Sequence, residues 1–434
     1  MNLKASFEKL GPGLLYAGAA VGVSHLVNST KAGALYGSIL LVAVLVANII
    51  KYPFFEMGPR YAAATGESLL EGYKRLGNWA FWLVVLMTIS TMFIIQAAVT
   101  VVTAGLAQKL LGIKMHFVTW SAILLAICTF VLGFGRYQIL DRLMKIIMIV
   151  LTITTIVALA SALGGNFAKQ PHFMNSFSFS NSKDLLFIAV LIGWMPAPFD
   201  ISIWHSIWSL AKSKVNNENI TLSKNQTSIE ENFSHLEKKV HASLFDFKVG
   251  YWGTAILACF FLLLGSLVLY GSGTTLSPKG GQFANQLIDI YTSSIGSWAY
   301  WIILVAAFTT MFSTTITVLD GATRLMSRAT SLQLKKPVDD VGLQRKFNLF
   351  WMLIIVAGSL ILLGGFIKNM GQMIKIATVI SFITAPIIAL LNYLVINKDN
   401  VPKFARPSTL MNRFSIFGIA LFSIFSIGFL LLYL

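Results

Sequence analysis

Apolar residues run in stretches of roughly 20 along almost the whole chain, and a helical stretch of that length crosses a bilayer. Eleven such runs can be marked, at 12–30, 34–57, 79–107, 115–134, 140–163, 185–209, 248–271, 296–319, 347–367, 371–396 and 412–434. The segments between them are short and polar. The one long exception, "KSKVNNENITLSKNQTSIEENFSHLEKKVH" at 212–241, is rich in Asn, Ser, Lys and Glu and predicts a flexible loop with a short amphipathic end. The pattern predicts an all-α integral membrane protein built as a single transmembrane domain over 1–434.

Two of the runs are interrupted. The sixth reads "LIGWMPAPFDISIWHSIW", where Pro196 and Pro198 follow Gly193 and each removes a backbone N–H. Two prolines that close open a helix instead of merely bending it, and carbonyls freed in lipid must bond water, an ion or a substrate. The first run carries Gly18, Gly22 and Ser24 near its middle, a weaker break because glycine only loosens a helix. His25 and Asn28, three residues apart, then share one face beside it. Five spans separate the starts of the two broken runs, and an odd offset reverses direction through the membrane. Paired breaks at matching places in two inverted halves mark a substrate site at the membrane midplane, which predicts a 5+5 inverted repeat.

Composition agrees with this. The 434 residues are 56% hydrophobic and 12% charged, with mean hydropathy +0.74, too apolar for a water-facing surface. The net charge of +16 lies mostly between the runs, where it sets orientation instead of marking a nucleic-acid surface. With the N-terminus in the cytoplasm and the C-terminus outside, about 25 of the 33 Lys and Arg residues, Lys51 and Arg60 among them, fall on the cytoplasmic side. The expected location is a bacterial-type plasma (inner) membrane. The triplets at Asn219, Asn225 and Asn232 match glycosylation acceptors but lie on the wrong side of the membrane to be used. Cys128 and Cys259 both sit in apolar runs and offer neither a disulfide framework nor a CxxC site.

Charge inside a span is costly and therefore carries a functional expectation. Asp200 is the acid well inside a run, with Glu56, Asp289 and Asp320 near ends; His25 and His205 are the intramembrane histidines. His25 could serve a substrate or a gate, or hydrogen-bond a neighbouring helix. Asp200 could hold cargo, or pair with a Lys or His such as His205. Ser313, Thr314 and Thr315 read as residues bonding back to their own helix, and Trp194, Trp204 and Trp208 as packing aromatics. There is no GxxxxGK[ST] phosphate loop and no catalytic constellation, which argues against a primary pump and against an enzyme.

The stretch "GPGLLYAGAAVGVSHLVNSTKAGA" (11–34) resembles the opening of the Nramp divalent-metal transporter family, with its GPG start, Asp-Pro-Gly-Asn break and closing Ala-Gly-Ala. Met195-Pro196 resembles that family's Met-Pro-His break; "AAFTTMFSTTITVLDG" and "ATVISFITAPIIALLNYL" are similar, more loosely, to its eighth and tenth helices. The resemblance implies a LeuT-type fold and a transported metal held between the first and sixth spans, with no permanently bound cofactor. It also implies proton coupling through third-span acids and a sixth-span histidine.

The chain departs from that pattern. Gly22 stands for the metal-binding Asp, Val23-Ser24 for Pro-Gly, His25 for Asn, Ala197 for the His after Met-Pro, and Thr378 for the tenth-span Gln. Thr100 and Ala97 fall where the acidic pair would be. The candidate binding residues are therefore Gly22, His25, Asn28, Met195, Ala197, Asp200 and Thr378, and the candidate proton or gating residues His25, Asp200, His205 and Thr100. His25, Met195 and Asp200 would form a donor set softer than Mg²⁺ prefers. Besides the bilayer, the expected partner is a transported cation, with an amino acid or amine as the other cargo and a non-transporting sensor or scaffold as a third role.

Overall fold

The computed structural model describes all residues except 1–9, 135–136, 165–176, 179, 221–228, 272–276, 278–285, 291, 293–295, 339, 367–369 and 434. The described residues are helical with no strand. The first run is divided into α1 (Pro12–Ala20), a π-helical turn (Val23–Ser29) and α2 (Thr30–Tyr36). There follow α3 (Leu41–Thr65), the short α4 (Leu69–Leu76), α5 (Asn78–Leu111), α6 (Phe117–Phe134) and α7 (Tyr137–Gly164). The sixth run is divided into α8 (Ser182–Gly193) and α9 (Ile201–Ile220). The chain continues with α10 (Ile229–Leu269), α11 (Tyr300–Gln333), α12 (Val341–Ile361), α13 (Met370–Ile396) and α14 (Thr409–Tyr433).

Among the described residues, eight helical stretches are long and apolar enough to cross a membrane; α6 is a shorter apolar helix. The divided sixth run is missing from both groups because neither half is long and apolar enough by itself. The polar stretch 212–241, expected as a flexible loop, is helical up to Ile220 and again from Ile229. Residues 221–228 lie outside the described residues, as do the Asn225 triplet and the basic N-terminus.

The packing brings both broken runs to the centre. α1 contacts α7, α9, α10 and α11, and α2 lies along α10. α8 packs on α13 and α3, while α9 packs on α3, α1 and α11. Small residues permit this closeness, as they commonly do where lipid supplies no hydrophobic drive between helices. A Cβ on Gly33 would collide with the carbonyl of Leu262, and one on Gly265 with the carbonyl of Thr30, so α2 and α10 meet backbone to backbone. Gly13 and Gly250 meet in the same way where α1 crosses α10, and there Asp246 accepts from the backbone N–H of Gly11 (2.9 Å) and Gly13 (3.0 Å). That carboxylate closes the start of α1, whose first N–H groups have no partner within the helix.

A second polar knot holds α9. Asn392 on α13 donates to the Phe54 carbonyl (3.0 Å) and Ser202 Oγ (2.9 Å), and its carbonyl oxygen accepts from the Tyr73 hydroxyl. Ser206 Oγ accepts from Leu69 N–H at the start of α4 (3.1 Å), and Glu71 on α4 pairs with Arg328 of α11 (2.5 Å). These contacts fix the helices around the breaks.

Replacing Gly33 or Gly265 by Ala should lower stability by about 1–3 kcal/mol, because backbone atoms must move to admit a methyl group. Gly253, with open space where its Cβ would stand, is the control and should tolerate Ala. Thermal unfolding of the three variants in detergent checks this; equal midpoints would contradict it.

Candidate functional site

The first break begins at Val21. Gly22 N–H bonds the Ala20 carbonyl (3.0 Å) instead of the Gly18 carbonyl that a continuing α-helix would use, so Gly18 O is left over. Thr314 of α11 fills the gap, its hydroxyl lying 2.9 Å from Gly18 O and 3.0 Å from Val21 O. Sequence reasoning gives Thr314 only a back-bond to its own helix; that bond exists, at 3.3 Å to Thr310 O, but is the longest of the three. The approach requires Gly22, since a Cβ there would stand 2.6 Å from Thr314 Oγ1. Gly22 is thus the residue that lets a neighbouring hydroxyl reach the opened backbone.

Ser24 joins the two breaks. Its hydroxyl lies 2.6 Å from Ala20 O, 2.7 Å from His25 Nδ1 and 3.4 Å from the Pro196 carbonyl. His25 is fully buried, and its Nε2 donates to the Thr254 carbonyl of α10 (3.0 Å). Nε2 thus bridges the first run to α10, and Nδ1 lies beside the Ser24 hydroxyl. Asn28 is also buried, and its side-chain N–H₂ has no protein partner.

At the second break the proline logic holds atom by atom. In a continuous helix the N–H of residue 196 would bond the Ile192 carbonyl, and Pro196 has none. Ile192 O instead accepts from Met195 N–H (3.2 Å) and from Lys51 Nζ (2.6 Å), which also reaches Gly193 O (3.2 Å). The Met195–Pro196 peptide is cis. Lys51 is 1% exposed, and its ammonium lies 5.1 Å from the Phe199 ring centre and 5.9 Å from that of Phe422. Grouping Lys51 with the cytoplasmic charges is thus corrected: it is a buried cation aimed into the sixth-run break. The signal was in "LVANIIKYPFF", a lone charge within an apolar run, obscured by its nearness to Arg60 and the end of the run.

Asp200, just past the break, is buried and interacts electrostatically with Lys51. The considered pairing with His205 does not occur, since neither ring nitrogen of His205 has a hydrogen-bond partner. That ring instead stacks on Tyr16 (5.7 Å, 26°) and leans on Phe247 (5.6 Å). Met195 is fully buried in an apolar cluster with Ala32, Tyr36, Val44, Leu191 and Leu262. His25 and Met195 are thus held by separate partners, the Thr254 carbonyl and an apolar cluster. No group of three or more His, Cys, Asp or Glu suited to a metal occurs among the described residues.

The remaining candidates sit around these. Ala197 is buried in the main core, and Pro198 lines the cavity described below. Thr378 turns its hydroxyl back to Ile374 O (2.7 Å) and Lys375 O (3.0 Å), while its own carbonyl lies so near Gly193 that a Cβ there would collide with it. Thr100 Oγ1 donates to Gln96 O (2.6 Å) and accepts from Gln96 Nε2 (3.2 Å), which also donates to Thr315 O (3.2 Å). Thr103 and Thr315 hydroxyls meet at 2.7 Å. An amide and hydroxyls thus occupy the face of the third run where the resembled family has acids; sequence reasoning placed Thr100 there but missed Gln96 and Thr103.

Between the breaks lies a narrow cavity lined by Ala20, Val23 and Ser24 of the first run, Val99 of α5, Trp194 and Trp204 of the sixth, and Thr314 of α11. It is mainly apolar. Trp194 Nε1 donates to Ser381 Oγ (2.9 Å), whereas the Trp204 indole N–H has no protein partner.

Comparisons with known proteins place this arrangement. An uncharacterised protein of Pasteurella multocida (strain Pm70) is 39% identical over 396 residues, covering 91% of this chain and 86% of that protein. The fold is similar to that of a manganese transporter from Eremococcus coleocola, solved with an aromatic bis-isothiourea compound (TM-score 0.67, 12% identity, 98% of this chain and 86% of that one). It is also similar to MhsT in complex with L-phenylalanine (TM-score 0.61, 15% identity, 97% of each chain). The expected LeuT-type architecture, with broken first and sixth runs, is therefore the observed one. The family model described as natural resistance-associated macrophage protein-like matches residues 13–432, and the chain belongs to the Nramp family.

Proposed function

We propose that this chain is a secondary transporter that moves a metal cation, of divalent transition-metal type, by alternating access around the two breaks. Family membership supports the reading, as does the likeness of the fold to manganese transporters. The observation that carries it is the environment at the end of α8: two backbone carbonyls, the Asp200 carboxylate nearby and two aromatic faces surround a positive charge. Oxygen donors of this kind suit a divalent ion, and Met195, which begins the break, adds a thioether for a later transition metal once its cluster opens. Loading requires Lys51 to withdraw. The plasma-membrane location with an inside N-terminus belongs to the same proposal. Proton coupling is not part of it, because Gln96, Thr100 and Thr103 of α5 carry no exchangeable charge.

One feature favours a second cargo. The cavity between the breaks is apolar, bounded by two indoles, and the unpartnered Trp204 N–H offers a donor to a small organic solute. Lys51 already places a positive charge at the sixth-run break, so a neutral or acidic solute fits better than an amine.

Purified protein in vesicles should take up Mn²⁺, with uptake lowered about tenfold by Asp200→Asn through the loss of about 1.4 kcal/mol of cation binding. Absence of Mn²⁺ binding and uptake, together with uptake of a small acidic or neutral solute, would replace the metal reading with the second one. Uptake of neither would overturn the transporter proposal.

Restoring an acid at the first break gives an independent check. Gly22→Asp alone has no room beside Thr314, but Gly22→Asp with Thr314→Ala should bind Mn²⁺ at least about tenfold more tightly than the wild type in calorimetry. Unchanged affinity in the folded double variant would show that the first break does not face the metal.

A further inference from the structure

We propose that the C-terminal end of α8 is a cation site that the protein fills from within, with the Lys51 ammonium as its resident occupant. The proposal concerns what holds the break closed, and it stands whether the cargo is a metal or an organic solute.

Pro196 has no N–H to offer the Ile192 carbonyl. Ending a helix at mid-membrane turns its last carbonyls, the negative end of its dipole, toward a space without water. Such an end attracts a cation, and a free ion arriving there would have to give up its hydration shell. Lys51 avoids this by reaching across from α3, which packs on both α8 and α9. Its Nζ lies 2.6 Å from Ile192 O and 3.2 Å from Gly193 O, distances at which a potassium or alkylammonium ion would also sit. Phe199 and Phe422 present ring faces to the same ammonium, and Asp200, buried just past the break but outside ion-pair distance, is the acid whose field favours that charge. Carbonyl oxygens and aromatic faces suit the single charge of an ammonium while Lys51 is in place, and the same oxygens open to a divalent ion only once it has withdrawn. The ammonium is tethered 141 residues away in sequence.

Two consequences follow. The carbonyls of Ile192 and Gly193 are closed to external monovalent ions while Lys51 holds them, so Lys51 acts as an intramolecular competitor of any cation approaching the second break. Shortening the side chain at position 51 should expose a site shaped for an alkylammonium ion.

Thermal unfolding of the full-length protein in detergent, titrated with propylammonium chloride or with KCl, tests this. Lys51→Ala should unfold at a lower temperature than the wild type, and either salt should raise its midpoint by several degrees in a saturable way while leaving the wild type unmoved. A folded Lys51→Ala protein that responds to neither cation more than the wild type does would overturn the proposal. If Lys51→Ala cannot be purified, Lys51→Gln and Lys51→Arg decide. Stability kept by Arg and lost by Gln supports a cation site, whereas wild-type stability in Lys51→Gln shows that a neutral donor suffices and overturns it. Binding-linked stability is read instead of uptake, so failure here leaves the transport proposal intact, and failure of uptake leaves this one intact.

Discussion

A backbone carbonyl opened to the hydrocarbon layer has no solvent to bond, and the centre of this protein is organised around that constraint. Each break frees carbonyls, and side chains from other helices come in to occupy them: the Thr314 hydroxyl at Gly18 and Val21, the Lys51 ammonium at Ile192 and Gly193. Ser24 ties the two openings together through Ala20 O, His25 and Pro196 O. The unwound backbone is thereby sealed by protein groups.

The substitutions relative to the resembled family become intelligible on this basis. Gly22, which stands where the resemblance expects a carboxylate, admits Thr314, because no Cβ could stand where its hydroxyl now lies. A neutral donor occupies the first break and a positive charge the second. His25 follows the same rule: a fully buried imidazole is retained with both nitrogens bonded, bridging the first run to α10. Hydrogen-bonded anchors at Asn392 and at Asp246 hold the surrounding helices in register.

The architecture was legible in the sequence because it rests on local rules. Run length marked the helices, Pro196 and Pro198 marked one break, Gly22 the other, and the five-span offset paired them. The occupants of the breaks were much less legible. Lys51 meets residues 141 positions away, and Thr314 meets residues almost 300 positions away, so no periodicity or spacing announces either contact. Position misled in both cases: Lys51 lies close to Arg60 and looks like a flanking charge, and Thr314 stands in a threonine-rich helix where back-bonding is the rule. Nor does the sequence show which partners His25, Met195 and Asp200 take. Proximity along two broken runs says little about which way each side chain turns: His25 bonds α10, Met195 sits in the apolar cluster of α2 and α3, and Asp200 is buried past the break.

The central claim is that the sixth-run break is held by Lys51 instead of by a free ion. A crystal structure of the wild-type protein grown with thallium(I), a heavy monovalent cation with a strong anomalous signal, tests it most directly. The account predicts the Lys51 ammonium within hydrogen-bond distance of the Ile192 and Gly193 carbonyls and no thallium peak beside them. Thallium bonded to those carbonyls, with the Lys51 side chain turned away, would contradict it.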